Sequence, residues 1–320
     1  MRLNMEPRPV LAICLNPAWQ KILSFRLLRH GEVNRAAALR ECGGGKGVNV
    51  VRALRHLGLP AAVAVFHGGD SGRKLLAELA SSGVEALAVA TAGQTRTCMT
   101  LISQENCEVT ELIEPSAPIA PTEVAALREL LDRELARFGA VTLSGTVPPG
   151  VDGQFYAGLA ARARSLGIPV VLDAVNDIYA TLQTGVTVLK INAAELRTIA
   201  PSKDDLQASA EKVLQDFPGV MAVAVTDGPA PAWLATRKKT WRLTVPELPG
   251  PLASAIGGGD CATAIMARRL AEQHDKEQLP DIFREALACA SASCLTEIPS
   301  VFDPAIAADL KARIVAACMT

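Results

Sequence analysis

The chain has 320 residues, 49% of them apolar, enough to bury a large core in one big domain or two small ones. Its 32 Lys and Arg balance 33 Asp and Glu, a net charge of −1, and only 4% of residues are aromatic, so there is no basic field for nucleic acid or anionic lipid. The apolar run 10–15 is too short for a secretory signal core and no stretch approaches membrane-spanning length, so a soluble, cytoplasmic protein is expected. Short β-branched runs predict strands at 10–15, 61–66, 141–144, 170–173, 188–191 and 222–226, while 72–82, 122–137 and 154–165 carry helical periodicity. That alternation predicts an α/β fold with a mostly parallel sheet covered on both faces by helices.

Two stretches break the rhythm. Residues 22–40 show no helical pattern, and 97–103 with 109–114 read as a hairpin turning through Gln104-Glu105-Asn106-Cys107. Both can pair into a small extra sheet, which suits a lid that excludes water from a substrate; surface decoration fits the same pattern. No repeat or linker forces a second independent domain.

The eight cysteines form no C-x-x-C pair and the four histidines are isolated. Buried free thiols are the expectation, and a zinc site or a His-based triad lacks support. The chemistry must therefore come from the glycine clusters.

The first cluster, Cys42-Gly43-Gly44-Gly45-Lys46-Gly47-Val48-Asn49, opens a helix running towards Gly58. A P-loop would need Ser or Thr where Gly47 stands, and a dinucleotide fingerprint would need an acidic residue where the next strand ends in His67-Gly68-Gly69. What remains is a glycine turn that lets a ligand approach the backbone, with Lys46 and Asn49 supplying a charge and an amide. A helix-capping loop with a solvated lysine fits equally well.

The second cluster is Gly257-Gly258-Gly259-Asp260, followed by a helix-compatible stretch at 262–270. Glycines at a helix N-terminus aim unpaired N–H groups and the positive end of the helix dipole at one point, which suits an anion. A carboxylate there repels phosphate but serves as a base that deprotonates an attacking hydroxyl. An ordinary glycine loop with Asp260 as N-cap is the alternative reading.

Taken together, these segments resemble the ribokinase-like (PfkB) family of ATP-dependent sugar kinases, from about residue 15 to beyond 293. The resemblance implies a three-layer αβα core with a small β-sheet lid, built as a single kinase domain over 1–320 with lid segments at about 22–40 and 95–115. It implies Asp260 as catalytic base, with Gly257, Gly258 and Gly259 as anion hole. Asn192-Ala193-Ala194-Glu195 looks like the family's N-x-x-E motif, which implies a Mg²⁺ role for Glu195 through water. Thr226-Asp227-Gly228 matches the start of its nucleotide loop, so Lys190, Asn192, Thr226, Asp227, Gly228 and Ser291 are the implied ATP contacts.

Asn16-Pro17-Ala18, Gly31-Glu32-Val33-Asn34-Arg35, Thr95-Arg96 and Leu143-Ser144-Gly145-Thr146-Val147-Pro148-Pro149-Gly150 resemble the phosphosugar branch, which contains 1-phosphofructokinase, tagatose-6-phosphate kinase and the minor 6-phosphofructokinase. This implies phosphorylation of a ketohexose phosphate, fructose 1-phosphate first among them, held by Asn16, Gln20, Gly44, Gly45, Lys46, Asn49, Arg96 and Ser144. Other sugars and nucleosides, or a sugar-phosphate-binding protein without turnover, are the alternatives. The chain departs from the branch at Trp19-Gln20, where an apolar residue and Asp are usual, at Gly258, commonly alanine, and at Pro229-Ala230-Pro231, which lacks the second loop glycine. An exposed lid edge invites pairing, and relatives often dimerise there, which leaves open a homodimer through the lid sheet.

Overall fold

The computed structural model describes residues 8–106, 108–201, 205–272 and 278–319, so Cys107 of the expected turn and His274 lie outside the described residues. In chain order the strands are β1 (Val10–Cys14), β2 (Ala18–Phe25), β3 (Ala38–Gly44), β4 (Ala61–His67), β5 (Glu85–Ala90), β6 (Arg96–Ser103), β7 (Glu108–Ile113), β8 (Ala140–Ser144), β9 (Val170–Asp173), β10 (Val188–Asn192), β11 (Ala222–Asp227), β12 (Ala230–Thr236), β13 (Thr240–Leu243) and β14 (Ala316–Met319). The helices are α1 (Lys46–His56), α2 (Gly69–Ser81), α3 (Pro121–Glu134), α4 (Gln154–Ser165), α5 (Tyr179–Thr184), α6 (Ala193–Ile199), α7 (Leu206–Asp216), α8 (Gly258–Glu272), α9 (Leu279–Ser293) and α10 (Pro304–Arg313).

Apolar runs such as Val10–Cys14 and Val170–Asp173 have no face to offer water, and both are buried throughout. They lie in a ten-stranded sheet of order β14-β13-β12-β11-β10-β9-β8-β1-β4-β5. From β5 to β11 neighbouring strands run parallel; β12, β13 and β14 extend the sheet antiparallel. Alternation along β1 splits the core in two. Val10, Ala12 and Cys14 pack beneath α1, α2, α8, α9 and α10, whereas Leu11 and Ile13 pack beneath α3 to α7. The sheet is thus the middle of three layers. Among the described residues no helix is long and apolar enough to cross a membrane.

The two stretches that break the βα rhythm form a separate four-stranded sheet, β3-β2-β6-β7. In it β2 pairs antiparallel with β3 and parallel with β6, and β6 pairs antiparallel with β7. Every residue of the edge strand β7 is exposed.

Two features differ from expectation. Helix α8 begins at Gly258, four residues before the apolar pattern starts, so Gly258, Gly259 and Asp260 form its first turn. Helix-disfavouring glycines masked that start. Pro229 completes a tight turn with Gly228, and Ala230-Pro231 opens β12, with Asp227 paired to Ala230. Gly228 has φ 55° in this turn, and Pro231 lies beside the register shift between Val225 and Asp227, where a missing ladder N–H is tolerated.

Helix α1 reaches the sheet through a close approach. A Cβ at Gly47 would stand 2.6 Å from Cys14 Cβ and 3.0 Å from the Ile13 carbonyl oxygen. Gly47→Ala must therefore lift α1 off β1, at an expected cost of about 1–3 kcal/mol in urea unfolding. An unchanged midpoint would show that this contact is free to relax.

Candidate active site

Parallel strands end with their C-terminal edges together, and the crevice beyond that edge is the natural binding place in such sheets. Ser144 ends β8, Asp173 ends β9, Asn192 ends β10, and Thr226 of β11 pairs beside Asn192. The first turns of α1 and α8 meet at the same edge, where Asn49 Nδ2 donates to Asp260 Oδ2 at 2.7 Å.

At the centre lies Asp173, fully buried. A lone carboxylate there would cost several kcal/mol, but every side is occupied. Its Oδ1 accepts from Lys46 Nζ at 2.7 Å, and its Oδ2 accepts from Lys190 Nζ at 3.1 Å and from Thr263 Oγ1 at 2.7 Å. Burial alone would raise its pKa; Lys190 and then Lys46 outweigh burial and hold it at about 2.

Asp260 is in the opposite position. It is 6% exposed, and burial first, then the negative charge of Asp173, lift its carboxyl to about 6 against the pull of Lys46, Asn49 and Lys190. Two buried carboxylates so close are driven to different protonation behaviour by their partners. Asp260 therefore sits in the range where a base works near neutral pH.

Around Asp260 the helix start is bare. Cys261 N–H donates to the Gly257 carbonyl at 2.8 Å, while the N–H groups of Gly259 and Asp260 fall in the first turn, ahead of any intrahelical acceptor. Gly257 has φ 83° and accepts from Ser300 Oγ at 2.9 Å. A Cβ at Gly259 would stand 2.5 Å from Lys190 Nζ, so only glycine leaves that ammonium in place. Gly258 faces the end of α9, with the Ala290 carbonyl 3.5 Å from where its Cβ would be; Ser291 is half-buried on that helix.

Lys46 joins this centre to α6. Its Nζ lies 3.4 Å from Glu195 Oε1; burial opposes its charge, but Asp173, Asp260 and Glu195 push its pKa above the usual lysine range. Asn192 and Glu195 close a capping box, Glu195 N–H donating to Asn192 Oδ1 at 2.8 Å and Asn192 N–H to Glu195 Oε2 at 3.1 Å. Among the described residues no three His, Cys, Asp or Glu side chains converge on a metal-sized site. Mg²⁺ keeps several waters and takes one or two carboxylates plus phosphate oxygens. Glu195 beside the cleft fits that habit, as an outer partner of an ion carried in with a nucleotide.

On the other side, Asn16 accepts from Ser116 Oγ at 2.8 Å, donates to Thr146 Oγ1 at 3.0 Å, and takes Arg96 Nη2 on its carbonyl at 3.2 Å. Among the described residues the Arg96 Nε is buried without a partner. Gln20 donates to Thr100 Oγ1 at 2.6 Å, and its carbonyl lies 3.2 Å from where a Gly44 Cβ would be. Gly45, at φ 106°, caps α1 in a backbone shape that disfavours side chains.

The structure thus draws Lys46, Asn49, Lys190, Glu195 and Asp260 into one network, with Asn16, Gln20, Gly44, Gly45 and Arg96 beside it. Ser144 stands apart, because its buried hydroxyl donates to Thr142 Oγ1 at 3.1 Å. Asp227 and Gly228 form the tight β11–β12 turn. Sequence reasoning missed Asp173 and Thr263. Its one available signal was a carboxylate closing the apolar run Val170-Val171-Leu172.

A model of the pfkB family carbohydrate kinases matches residues 9–303, and the chain belongs to that family. It is a sugar kinase by class, and kinases of this family use ATP, normally with Mg²⁺. The fold is shared with solved structures of low identity. Phosphofructokinase-2 from Escherichia coli in complex with fructose 6-phosphate superposes with a TM-score of 0.81 at 24% identity, covering 95% of this chain and 98% of that one. A protein described as a possible 1-phosphofructokinase from Thermotoga maritima superposes at 0.87 with 21% identity, covering 97% and 99%.

A carboxyl held at about 6 in the folded state binds a proton that the unfolded chain has released above its ordinary value near 3.9. Folding stability contributed by Asp260 therefore falls as pH rises from about 4 to 6. Asp260→Asn escapes this. It is expected to stabilise the protein by about 3 kcal/mol at pH 7, with the gain vanishing below about pH 4. Urea unfolding at both pH values checks it; equal effects at both would remove the electrostatic account.

Proposed function

We propose that this chain is an ATP- and Mg²⁺-dependent kinase that phosphorylates the primary hydroxyl of a ketohexose phosphate, with fructose 1-phosphate, giving fructose 1,6-bisphosphate, the leading candidate. One observation carries it. A buried carboxylate that titrates near neutrality, Asp260, stands in the first turn of α8, beside N–H groups that have no helical partner. Asp260 takes the hydroxyl proton, and the backbone of Gly257, Gly258 and Gly259 with the α8 N-terminus stabilises charge on the moving γ-phosphoryl group. Lys46 supports the same charge, since its ammonium keeps one N–H beyond those given to Asp173 and Glu195.

Lys190, Asn192, Thr226, Asp227, Gly228 and Ser291 are the proposed nucleotide contacts. Mg²⁺ neutralises phosphate charge when bound, and Glu195 would hold it through water. The buried, unpartnered Arg96 Nε supports a phosphate on the sugar side, because a guanidinium donor left dry is unfavourable until an anion meets it. Asn16, Gln20, Gly44, Gly45 and Asn49 complete that pocket, with Ser144 at the C-terminal end of β8.

We read residues 1–320 as one cytoplasmic kinase domain whose small sheet acts as a lid. Its exposed β7 edge, with Leu112 and Ile113 at 50% and 59% exposure, is the surface through which it would pair as a homodimer.

An ATP-consumption screen over fructose 1-phosphate, fructose 6-phosphate, tagatose 6-phosphate and the free sugars tests the assignment. Turnover on any of them would remove the alternative of a sugar-phosphate-binding protein without turnover. Asp260→Asn should lower kcat by about 10² to 10⁴. In the parent, kcat/KM should fall with acid through an apparent pKa of about 6, because only the ionised carboxyl accepts the proton. A profile flat to pH 5 would remove Asp260 as base.

Arg96→Ala tests the substrate's own phosphate. KM for the phosphosugar should rise about tenfold to a hundredfold, with KM for ATP nearly unchanged. Equal rises for both substrates would place Arg96 outside the sugar pocket.

A further inference from the structure

Behind Asp260 runs a chain of contacts that the mechanism above does not use. Asn49 Nδ2 donates to Asp260, and Asn49 Oδ1 accepts from Arg52 Nη1 at 2.6 Å. Arg52 lies three residues further along α1, on the same helical face. Its Nη2 donates to the Gly43 carbonyl and lies 3.2 Å from Glu78 Oε1 on α2. Glu78 Oε2 in turn accepts from the Gly43 N–H. Gly43, the penultimate residue of β3, is thus gripped at both backbone groups. A Cβ there would stand 2.6 Å from Leu75 Cδ1 and 3.2 Å from Glu78 Oε2, so the grip requires glycine.

An amide has two faces of opposite polarity. Turned with its oxygen towards Asp260, Asn49 would oppose the ionised carboxylate; turned with its N–H₂, it stabilises it. Arg52 decides between them, because a guanidinium can only donate and so must have the amide oxygen on its own side. Glu78 then keeps Arg52 from swinging away. At 14% side-chain exposure Arg52 is largely shielded from water, which strengthens both bonds.

We propose that Arg52 and Glu78 are positioning residues for phosphoryl transfer, locking the Asn49 amide with its N–H₂ towards Asp260 and tying that lock to the small sheet at Gly43. The proposal rests on the reading of Asp260 as base, yet it can be tested without turnover. Asp260 is faced by Lys46 and Asn49 from α1, Asp173 from β9, Lys190 from β10 and Cys14 from β1. Its helix neighbour Cys261 is faced by Cys289 and Cys294 of α9. Strand β8 brings only Ala, Val, Thr, Leu and Ser. Arg52 and Glu78 therefore reach Asp260 through Asn49.

The experiment is a carboxyl ¹³C NMR titration of Asp260 in aspartate-labelled full-length protein, the resonance identified by its loss in Asp260→Asn. Arg52→Met frees the amide, and a charge-directed hydrogen bond of this kind is worth roughly one pH unit. The Asp260 midpoint should move up by about that amount in Arg52→Met and by less in Glu78→Gln, which keeps an acceptor for Arg52 and is the variant to use if Arg52→Met does not fold. In an Asn49→Ala background neither substitution should move it further. A midpoint unmoved in folded Arg52→Met, or unmoved in Glu78→Gln where Arg52→Met does not fold, overturns the proposal, as does an equal shift in the Asn49→Ala background. Either makes Arg52–Glu78 a staple between α1 and α2 only. Loss of kcat in Asp260→Asn is scored separately, so failure of the base assignment and failure of the lock are distinguishable.

Discussion

The site depends on one buried carboxylate shared by two lysines. Asp173 holds Lys46, which it shares with Glu195, and the buried Lys190, and Thr263 of α8 completes its coordination. Removing one partner from such an arrangement leaves a buried ion uncompensated, which is why the arrangement is kept whole or not at all. Because its ligands come from α1, β10 and α8, Asp173 also registers those three elements against each other. The first turn of α8 and the first turn of α1 face one another across it.

Electrostatics then follows from geometry. Asp173 has taken the nearby cations, so Asp260 gets only what they have left, together with one amide hydrogen bond. The same lysines that depress one carboxyl leave its neighbour elevated. A strong acid and a weak acid are made from identical side chains by sharing two cations unequally. Lys46 extends the arrangement to Glu195, so that β9 and α6 meet on a single ammonium group.

Much of this was legible in residue order and some was not. The parallel strands announced themselves because strands buried on both faces need uninterrupted apolar runs, and the predicted strand at 170–173 matches β9 residue for residue. The small sheet was legible as interruption: no helix in 22–40, and a hairpin beyond it. The antiparallel strands β12, β13 and β14 were hidden, since two prolines suggested a loop where a bulge absorbs them. Asp173 was the largest omission. Its partners lie 127, 17 and 90 residues away in the chain, a constellation no local pattern carries. Arg52 and Glu78 were invisible for the same reason, being ordinary charged positions on amphipathic helices until the fold sets them beside Gly43.

The placement of Asp260 has an evolutionary consequence. A single base change converts an aspartate codon to an asparagine codon, and here that change would relieve a buried like-charge pair while leaving Asn49 a neutral acceptor to bond. Drift in fold quality alone would therefore run towards the amide. A lineage free of any need for this charge would lose the carboxylate early and keep its architecture, becoming a sturdier scaffold. A descendant with Asn at this position and the Asp173 cluster intact would be the trace of that drift.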